Sequence, residues 1–248
     1  DLHSFPTRRS SDLLVLNKLV LPILLETLLT FLLGGVDTFM LSQHSDDAVA
    51  AVGMDNQILQ LVFLLFTIIN AGTSVLCSQY FGAKLQDRFV KVSGVALMLN
   101  LTMGLMSSLL LFLFAEPVLL LMGLRPELMV YGKPYLQIVG SLAFAQAITT
   151  TISAILRAAN KPIYPMLVIV VVNILNIIGN YTLIFGKFGM PALGAEGAAI
   201  STSISRTVSM LMLIVMLNRK LIPSFPLRLF RPFPVSEMRR LLKIGRPS

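Results

Sequence analysis

The sequence predicts an all-α, polytopic membrane protein with six transmembrane helices. Of its 248 residues, 55% are hydrophobic and only 13% are charged, and the mean hydropathy is +0.81. Soluble domains are about 45–50% apolar and about 25% charged, so this composition indicates a membrane protein. A helix needs about 20 apolar residues to cross a bilayer. Six segments meet this requirement: 14–41, 48–78, 92–115, 128–156, 163–185 and 195–217.

The two ends of the chain differ from this pattern. Residues 1–13, DLHSFPTRRSSDL, are polar and basic and lack the apolar core of a signal peptide. They resemble translated sequencing-adapter read-through, and we interpret them as non-native. Residues 218–248 are basic and rich in proline, and they become amphipathic from Ser236. We interpret them as a cytoplasmic linker and the start of a seventh helix, which makes 14–217 a six-helix lobe of a longer protein.

The basic residues predict the orientation of this lobe. With the N-terminus in the cytoplasm, fourteen lysines and arginines from Lys18 onward fall on the cytoplasmic side, and only Arg125, Lys133 and Lys187 fall outside. Such an excess marks the cytoplasmic side of membrane proteins. The net charge of +8 therefore follows from topology and predicts no nucleic-acid partner. We expect a multi-pass protein of the plasma membrane, the inner membrane in a bacterium, with a cytoplasmic N-terminus.

The first span contains an isolated carboxylate. Asp37 lies in the apolar run LLGGVDTFML, where an ionised group costs roughly 3 kcal/mol or more. Asp37 is therefore a candidate functional group, and the alternative is that it snorkels to the outer interface. Pro22 is expected to bend the same helix. Glu26 lies on nearly the same face as Asp37, but it could also pair with a basic residue or reach interfacial water.

The second span is unusually polar for a membrane helix. Its polar residues are Asp55, Asn56, Gln57, Gln60, Asn70 and Gln79. A helix of this kind is expected to line a cavity rather than to face lipid all round. We take Asp55, Gln57 and Asn70 as possible cavity-lining residues. The second and fourth spans are also long enough to tilt or to extend beyond the bilayer.

The last two spans carry hydrogen-bonding side chains at helical spacing. Asn173, Asn176 and Asn180 recur at intervals of three and four residues and form one stripe on the fifth span. Amides of this kind either join membrane helices or, with a carboxylate and a hydroxyl, supply the hard oxygen ligands that suit Na⁺. In the sixth span, Thr202 shares a face with Ala198, although such hydroxyls often bond to their own helix.

Arg206 is the only cation placed near the middle of a span. A guanidinium at this depth must face protein or water, so Arg206 is a further candidate cavity residue. The sequence does not name its partner.

Five motifs in order resemble the multidrug and toxic compound extrusion (MATE) transporters. They are LP followed by DT fifteen residues later, AAVGMDNQ, GTSVLCSQYFGAK, ILRAANKPIYPM, and NILNIIGNYTLIFG with LGAEGAAISTSIS. The resemblance runs from about Leu14 to Ser248. It implies a fold of twelve helices in two six-helix lobes, of which this chain is the first, with the missing C-terminal lobe as its partner.

The resemblance also implies an activity. MATE proteins export organic, often cationic compounds in exchange for Na⁺ or H⁺, so the expected partners are such small molecules and the lipid bilayer, with no cofactor beyond the coupling ion. Carried over, the cation site would consist of Asp37, Asn176, Asn180, the backbone oxygen of Ala198, and Thr202, with Pro22 as the bending residue. A Na⁺ ion would lie at Asp37, Asn176 and Asn180. Position 180 is commonly aspartate in the family, so the asparagine here leaves Na⁺ and H⁺ open.

Two other functional classes fit the sequence less well. A lipid-linked oligosaccharide flippase of similar architecture should have a more cationic cavity than Arg206 alone provides. An enzyme is not expected, because the sequence lacks HExxH and GxSxG motifs and a usable histidine pair.

Overall fold

The computed structural model of the protein describes residues 9–221, and its side chains from residue 20 onward. This range contains eight α-helices and no strand. The helices are α1 (Arg9–Ser42), α2 (Asp46–Gly82), α3 (Gln86–Leu113), α4 (Ala115–Leu121), α5 (Met129–Ser141), α6 (Ala143–Ala158), α7 (Ile163–Phe185) and α8 (Gly194–Lys220). The segments 1–13 and 218–248 lie outside the described residues, except where α1 and α8 extend into them.

The predicted all-helical membrane architecture is confirmed. In the described range α1, α2, α3, α7 and α8 are each long and apolar enough to cross a membrane. The fourth predicted span is not one continuous helix. It consists of α5, preceded by a 3₁₀ turn (Pro126–Leu128), and of α6, and the two halves are bent by 48° relative to each other.

The break in the fourth span lies at Leu142 and is stabilised by neighbouring helices. The backbone N–H of Phe144 donates to the hydroxyl of Ser108 on α3, at 3.1 Å. The carbonyl of Ile138 accepts a hydrogen bond from Ser203 on α8, at 3.4 Å. Backbone groups freed at membrane depth must find partners inside the protein, and these two hydroxyls supply them.

The connection between the third and fourth spans is more ordered than a simple loop. The predicted third span, 92–115, corresponds to α3 and ends at Leu113, after which α4 begins at once. Lys133 on α5 donates to Glu116 on α4 at 2.7 Å, which ties the start of the fourth span to this short helix.

The interior has two apolar clusters separated along the helices by buried polar groups. One cluster includes Phe89 and Ile155, and the other includes Leu59 and Leu136. Between them the amide of Asn100 on α3 donates to Asn70 on α2 at 2.8 Å and to Thr151 on α6 at 2.6 Å. These buried hydrogen bonds fix the register of α2, α3 and α6.

Helices α7 and α8 approach each other closely. A methyl group added to Gly179 would collide with the hydroxyl of Ser201, and one added to Gly197 would collide with the carbonyl of Leu183. Small residues allow membrane helices to pack this tightly. The close approach brings the asparagines of α7 next to the hydroxyls of α8.

Candidate cation site

A cavity of about 530 Å³ opens between α1, α2, α7 and α8, with α5 and α6 completing its wall. Among the charged residues that the structure describes, only Asp37 and Arg206 line this cavity. The uncharged lining residues include Asn56, Gln60, Tyr135, Asn173, Asn176, Ala198 and Thr202. The lobe thus encloses a space whose wall carries one negative group, one positive group and several neutral polar groups.

Four of the predicted site residues are joined by a chain of hydrogen bonds. The amide of Asn180 donates to the carboxylate of Asp37 at 2.7 Å and to the amide oxygen of Asn176 at 3.2 Å. The amide of Asn176 donates to the hydroxyl of Thr202 at 3.5 Å. The chain runs from α1 across α7 to α8, so it links the three helices at one level. Ala198 is buried on the same face of α8, one turn before Thr202.

The positions of these residues follow from local structure. Spacings of three and four place Asn173, Asn176 and Asn180 on one face of α7. Asn173 donates to the carbonyl of Leu29 on α1 at 3.0 Å, which anchors α1 beside α7. The hydroxyl of Ser201 on α8 donates to the carbonyl of Asn176 at 3.0 Å.

The oxygen atoms present suit a small hard cation. The described part of the chain brings together no group of three or more His, Cys, Asp or Glu, so a bound ion would depend on one carboxylate with amide and hydroxyl oxygens. The amide oxygen of Asn180 is buried and accepts no hydrogen bond from the described residues. Together with the oxygens of Asp37, Asn176 and Thr202, it is the kind of ligand that Na⁺ accepts.

Arg206 carries the positive charge of the cavity. Its guanidinium lies over the ring of Phe63, 5.1 Å from the ring centroid, and its Nη1 atom is buried without a hydrogen-bond partner among the described residues. No ion pair joins it to Asp37, although both line the cavity. The cavity therefore holds separated charges of opposite sign.

The other predicted residues lie outside this cavity wall. Glu26 forms an ion pair with Arg157 on α6, at 2.8 Å. Gln57 is exposed, and α2 lines the cavity with Asn56 and Gln60 instead. Asn70 belongs to the buried amide network described above, and Asp55 is fully buried near α5. Pro22 lies within α1 and is buried.

Sequence reasoning missed two residues near the site. Tyr135 on α5 lines the cavity and is 6% exposed, but nothing in its local sequence distinguishes it from a packing residue. Asn100, which is fully buried at the centre of the amide network, is the only amide in the α3 segment LMLNLTM, and this isolation was a usable signal.

A match to a family model shows to which known proteins this chain is related. The MatE family model matches residues 22–182, which include α1 from Pro22 onward, α2 to α6, and most of α7. The chain belongs to the MatE family. The MATE resemblance of the sequence motifs is thereby confirmed.

Relatives and solved structures of the MatE family agree with this assignment. The chain is 42% identical over 227 residues to the uncharacterized transporter YisQ of Bacillus subtilis, covering 92% of this chain and 50% of YisQ. It is 30% identical over 232 residues to the probable multidrug resistance protein NorM of Thermotoga maritima, covering 93% and 50%. The fold matches a multidrug resistance MATE family transporter solved in an outward-facing conformation, with a TM-score of 0.83, 22% identity, and coverage of 93% and 51%. The chain spans about half the length of the curated relatives it matches.

Proposed function

We propose that this chain is the first lobe of a cation-coupled antiporter that exports organic, often cationic compounds in exchange for Na⁺ or H⁺. Membership of the MatE family and the multidrug resistance names of relatives support the export of such compounds. The half-length match supports a partnership with a second lobe of similar size. The distribution of the basic residues supports a cytoplasmic N-terminus. The membrane would be the plasma membrane, which in a bacterium is the inner membrane.

The hydrogen-bond chain through Asp37, Asn180, Asn176 and Thr202 is the observation that carries this proposal. It places the one carboxylate of the cavity among polar groups that can solvate it whether it is charged or neutral. A proton on Asp37 would replace the negative charge that Asn180 now stabilises. A Na⁺ ion would compete with the amide hydrogens of Asn180 for the same oxygen. Either ion therefore changes the link between α1 and α7.

Coupling follows if this link differs between two states of the lobe. A ligand shifts a conformational equilibrium only by its difference in affinity for the two states. Asp37 lies on α1 and its amide partner on α7, so a motion of α1 changes the affinity for the cation directly. Pro22 supplies a point at which α1 can bend, because its ring removes one backbone hydrogen bond of the helix.

The flippase alternative is less well supported. Within the described residues, the charged groups that line the cavity are Asp37 and Arg206, so this wall is close to neutral. An anionic lipid-linked oligosaccharide would be expected to require several basic groups. Apolar compounds with one or two charged groups suit such a wall better.

The first test replaces the carboxylate of Asp37 by the isosteric amide. In the two-lobe transporter that contains this chain, Asp37→Asn should lower dye export driven by a Na⁺ or H⁺ gradient by roughly 5- to 150-fold, the usual range of a coupling free energy. In the purified chain it should abolish saturable binding of the coupling ion. Expression and thermal stability should stay near the wild-type values, because the amide can still bond to Asn180.

Asp47→Asn is the matched control, because it removes an exposed carboxylate from the first turn of α2. It should leave both ion binding and export unchanged. Wild-type export by Asp37→Asn would show that Asp37 only snorkels and would refute the coupling role.

A further inference from the structure

Asp55 is a second carboxylate at membrane depth, and the proposed antiport does not use it. It lies on α2, it is 0% exposed, and neither of its oxygens accepts a hydrogen bond from the described residues. A methyl group placed on Gly132 of α5 would lie 3.6 Å from its Oδ1 atom, beside the methyl groups of Leu119 and Leu124. The carboxyl group therefore faces a glycine and apolar side chains.

The burial of Asp55 comes from this lobe alone. The residues beside it are Leu119 on α4, Leu124 in the segment between α4 and α5, and Gly132 on α5. No second lobe or lipid is needed to remove it from water. An ionised carboxylate enclosed in this way, with no hydrogen-bond donor, is strongly unfavourable.

No charged group within reach compensates a negative charge on Asp55. On α5, Lys133 is paired with Glu116 at the surface, and on the 3₁₀ turn Glu127 is exposed beside Arg125. Among the described side chains of α1 and α8, Asp37 and Arg206 line the cavity and Glu26 is paired with Arg157. The other charged groups of α8 are the exposed Glu196 in its first turn and Arg219 and Lys220 in its last turn. The charged groups of α3 and α6 lie at the ends of those helices that are far from Asp55. They are Asp87, Arg88, Lys91 and Arg157.

The surroundings also exclude a metal ion as the neutralising group. Na⁺ requires several oxygen ligands, and neither oxygen of Asp55 has a hydrogen-bonding neighbour among the described residues, whereas amide and hydroxyl groups adjoin Asp37. A proton requires no ligand beyond the carboxylate itself. Hence a proton is the ion that fits this position.

We propose that Asp55 is a second proton-binding site, separate from the Asp37 site and hidden behind the wall of the cavity. Tyr135 lies on α5 one turn after Gly132 and lines the cavity, so it separates Asp55 from the water-accessible space. The α5 segment is the first half of the broken span. A displacement of α5 about the break at Leu142 would bring Asp55 into contact with the cavity, where water would accept its proton and later return one.

The experiment is infrared spectroscopy of the purified chain at neutral pH. A protonated carboxylic acid gives a C=O stretching band that is absent from carboxylates and that shifts in D₂O. Asp37 is replaced by Asn in every sample, so that a proton at the first site gives no band. Asp37→Asn should show one such band from Asp55, and so should Asp37→Asn combined with the exposed control Asp47→Asn. Asp37→Asn combined with Asp55→Asn should lack it.

A second variant provides the same test if Asp55→Asn does not fold. A neutral acid in apolar surroundings can be replaced by a side chain of similar size, so Asp55→Leu should fold with an unchanged or higher melting temperature and should also lack the band. The absence of the band from Asp37→Asn would show that Asp55 is ionised and would overturn the proposal. A band that persists when Asp55→Leu is combined with Asp37→Asn would overturn it too. The result does not depend on coupling at Asp37, because both readouts are obtained without transport.

Discussion

Asn180 determines how strongly the candidate site attracts a metal cation. Its amide hydrogens face the carboxylate of Asp37 and the oxygen of Asn176, while its own oxygen is buried without a partner among the described residues. In this arrangement the protein itself stabilises the negative charge. In the proposed coupling role, a cation must compete with that amide for the carboxylate oxygen. A carboxylate at position 180 would add a second negative charge and remove the donor, which should strengthen the binding of a metal cation.

Asn180→Asp should therefore tighten Na⁺ binding. Two charges about 4 Å apart interact by about 4 kcal/mol at an effective dielectric constant of 20, so at least a tenfold increase in affinity is expected, about 1.4 kcal/mol. Calorimetric titration of the purified chain with Na⁺ would measure it. Gln57→Glu is the matched control, since it adds the same charge at an exposed residue of α2 outside the cavity. Equal Na⁺ affinity in Asn180→Asp and the wild type would argue against the placement of the ion.

The packing contact between helices α7 and α8 keeps the residues of the candidate site close to one another. Gly179 lies one residue before Asn180, and Ser201 lies one residue before Thr202, so the closest approach of the two helices adjoins the hydrogen-bond chain. Any loss of this contact would separate the amides from the hydroxyl. The small side chains at the contact are thus a geometric requirement of the site.

Gly179→Ala should destabilise the lobe by about 1–3 kcal/mol, because the added methyl group overpacks the contact with Ser201. Thermal unfolding in detergent would show a lower melting temperature. Gly179→Ala combined with Ser201→Ala should recover part of the loss, since the hydroxyl that collides with the methyl group is then absent. Gly35→Ala is the control: no atom lies within 4 Å of the added group, so it should be neutral or stabilise α1 by up to about 1 kcal/mol. An unchanged melting temperature in Gly179→Ala would contradict the packing argument.

The helices and the site differ in how far the sequence could predict them. Within the described residues, apolar length located the five continuous spans but predicted the broken fourth span as one helix. The spacing of Asn176 and Asn180 placed them on one face, as the structure has them. The break at Leu142 was not predictable, because no proline marks it. It depends on Ser108 and Ser203, hydroxyls from distant spans that bond to the freed backbone groups. Likewise, only the packing of α5 shows that Asp55 is isolated from the cavity.

Charge is distributed unequally between the two ends of the whole lobe. Alternating helices place the segments 43–45, 114–128 and 186–193 at one end, and 83–85 and 159–162 at the other. The second end also holds the C-terminus of α8, whose last carbonyl, that of Lys220, accepts a hydrogen bond from Lys161. Within the described side chains this end carries seven basic residues: Lys84, Arg88, Lys91, Arg157, Lys161, Arg219 and Lys220. The first end carries three: Arg125, Lys133 and Lys187.

This asymmetry predicts that the more basic end faces the cytoplasm. Single cysteines at opposite ends can test it once the buried Cys77 has been replaced by alanine. Phe188 is 85% exposed between α7 and α8, and Gln86 is exposed at the start of α3. In intact cells an impermeant maleimide should label Phe188→Cys and leave Gln86→Cys unlabelled, because the membrane shields the second position. Permeabilised cells serve as the control and should show labelling of both. Labelling of Gln86→Cys alone in intact cells would contradict this orientation and place the more basic end outside.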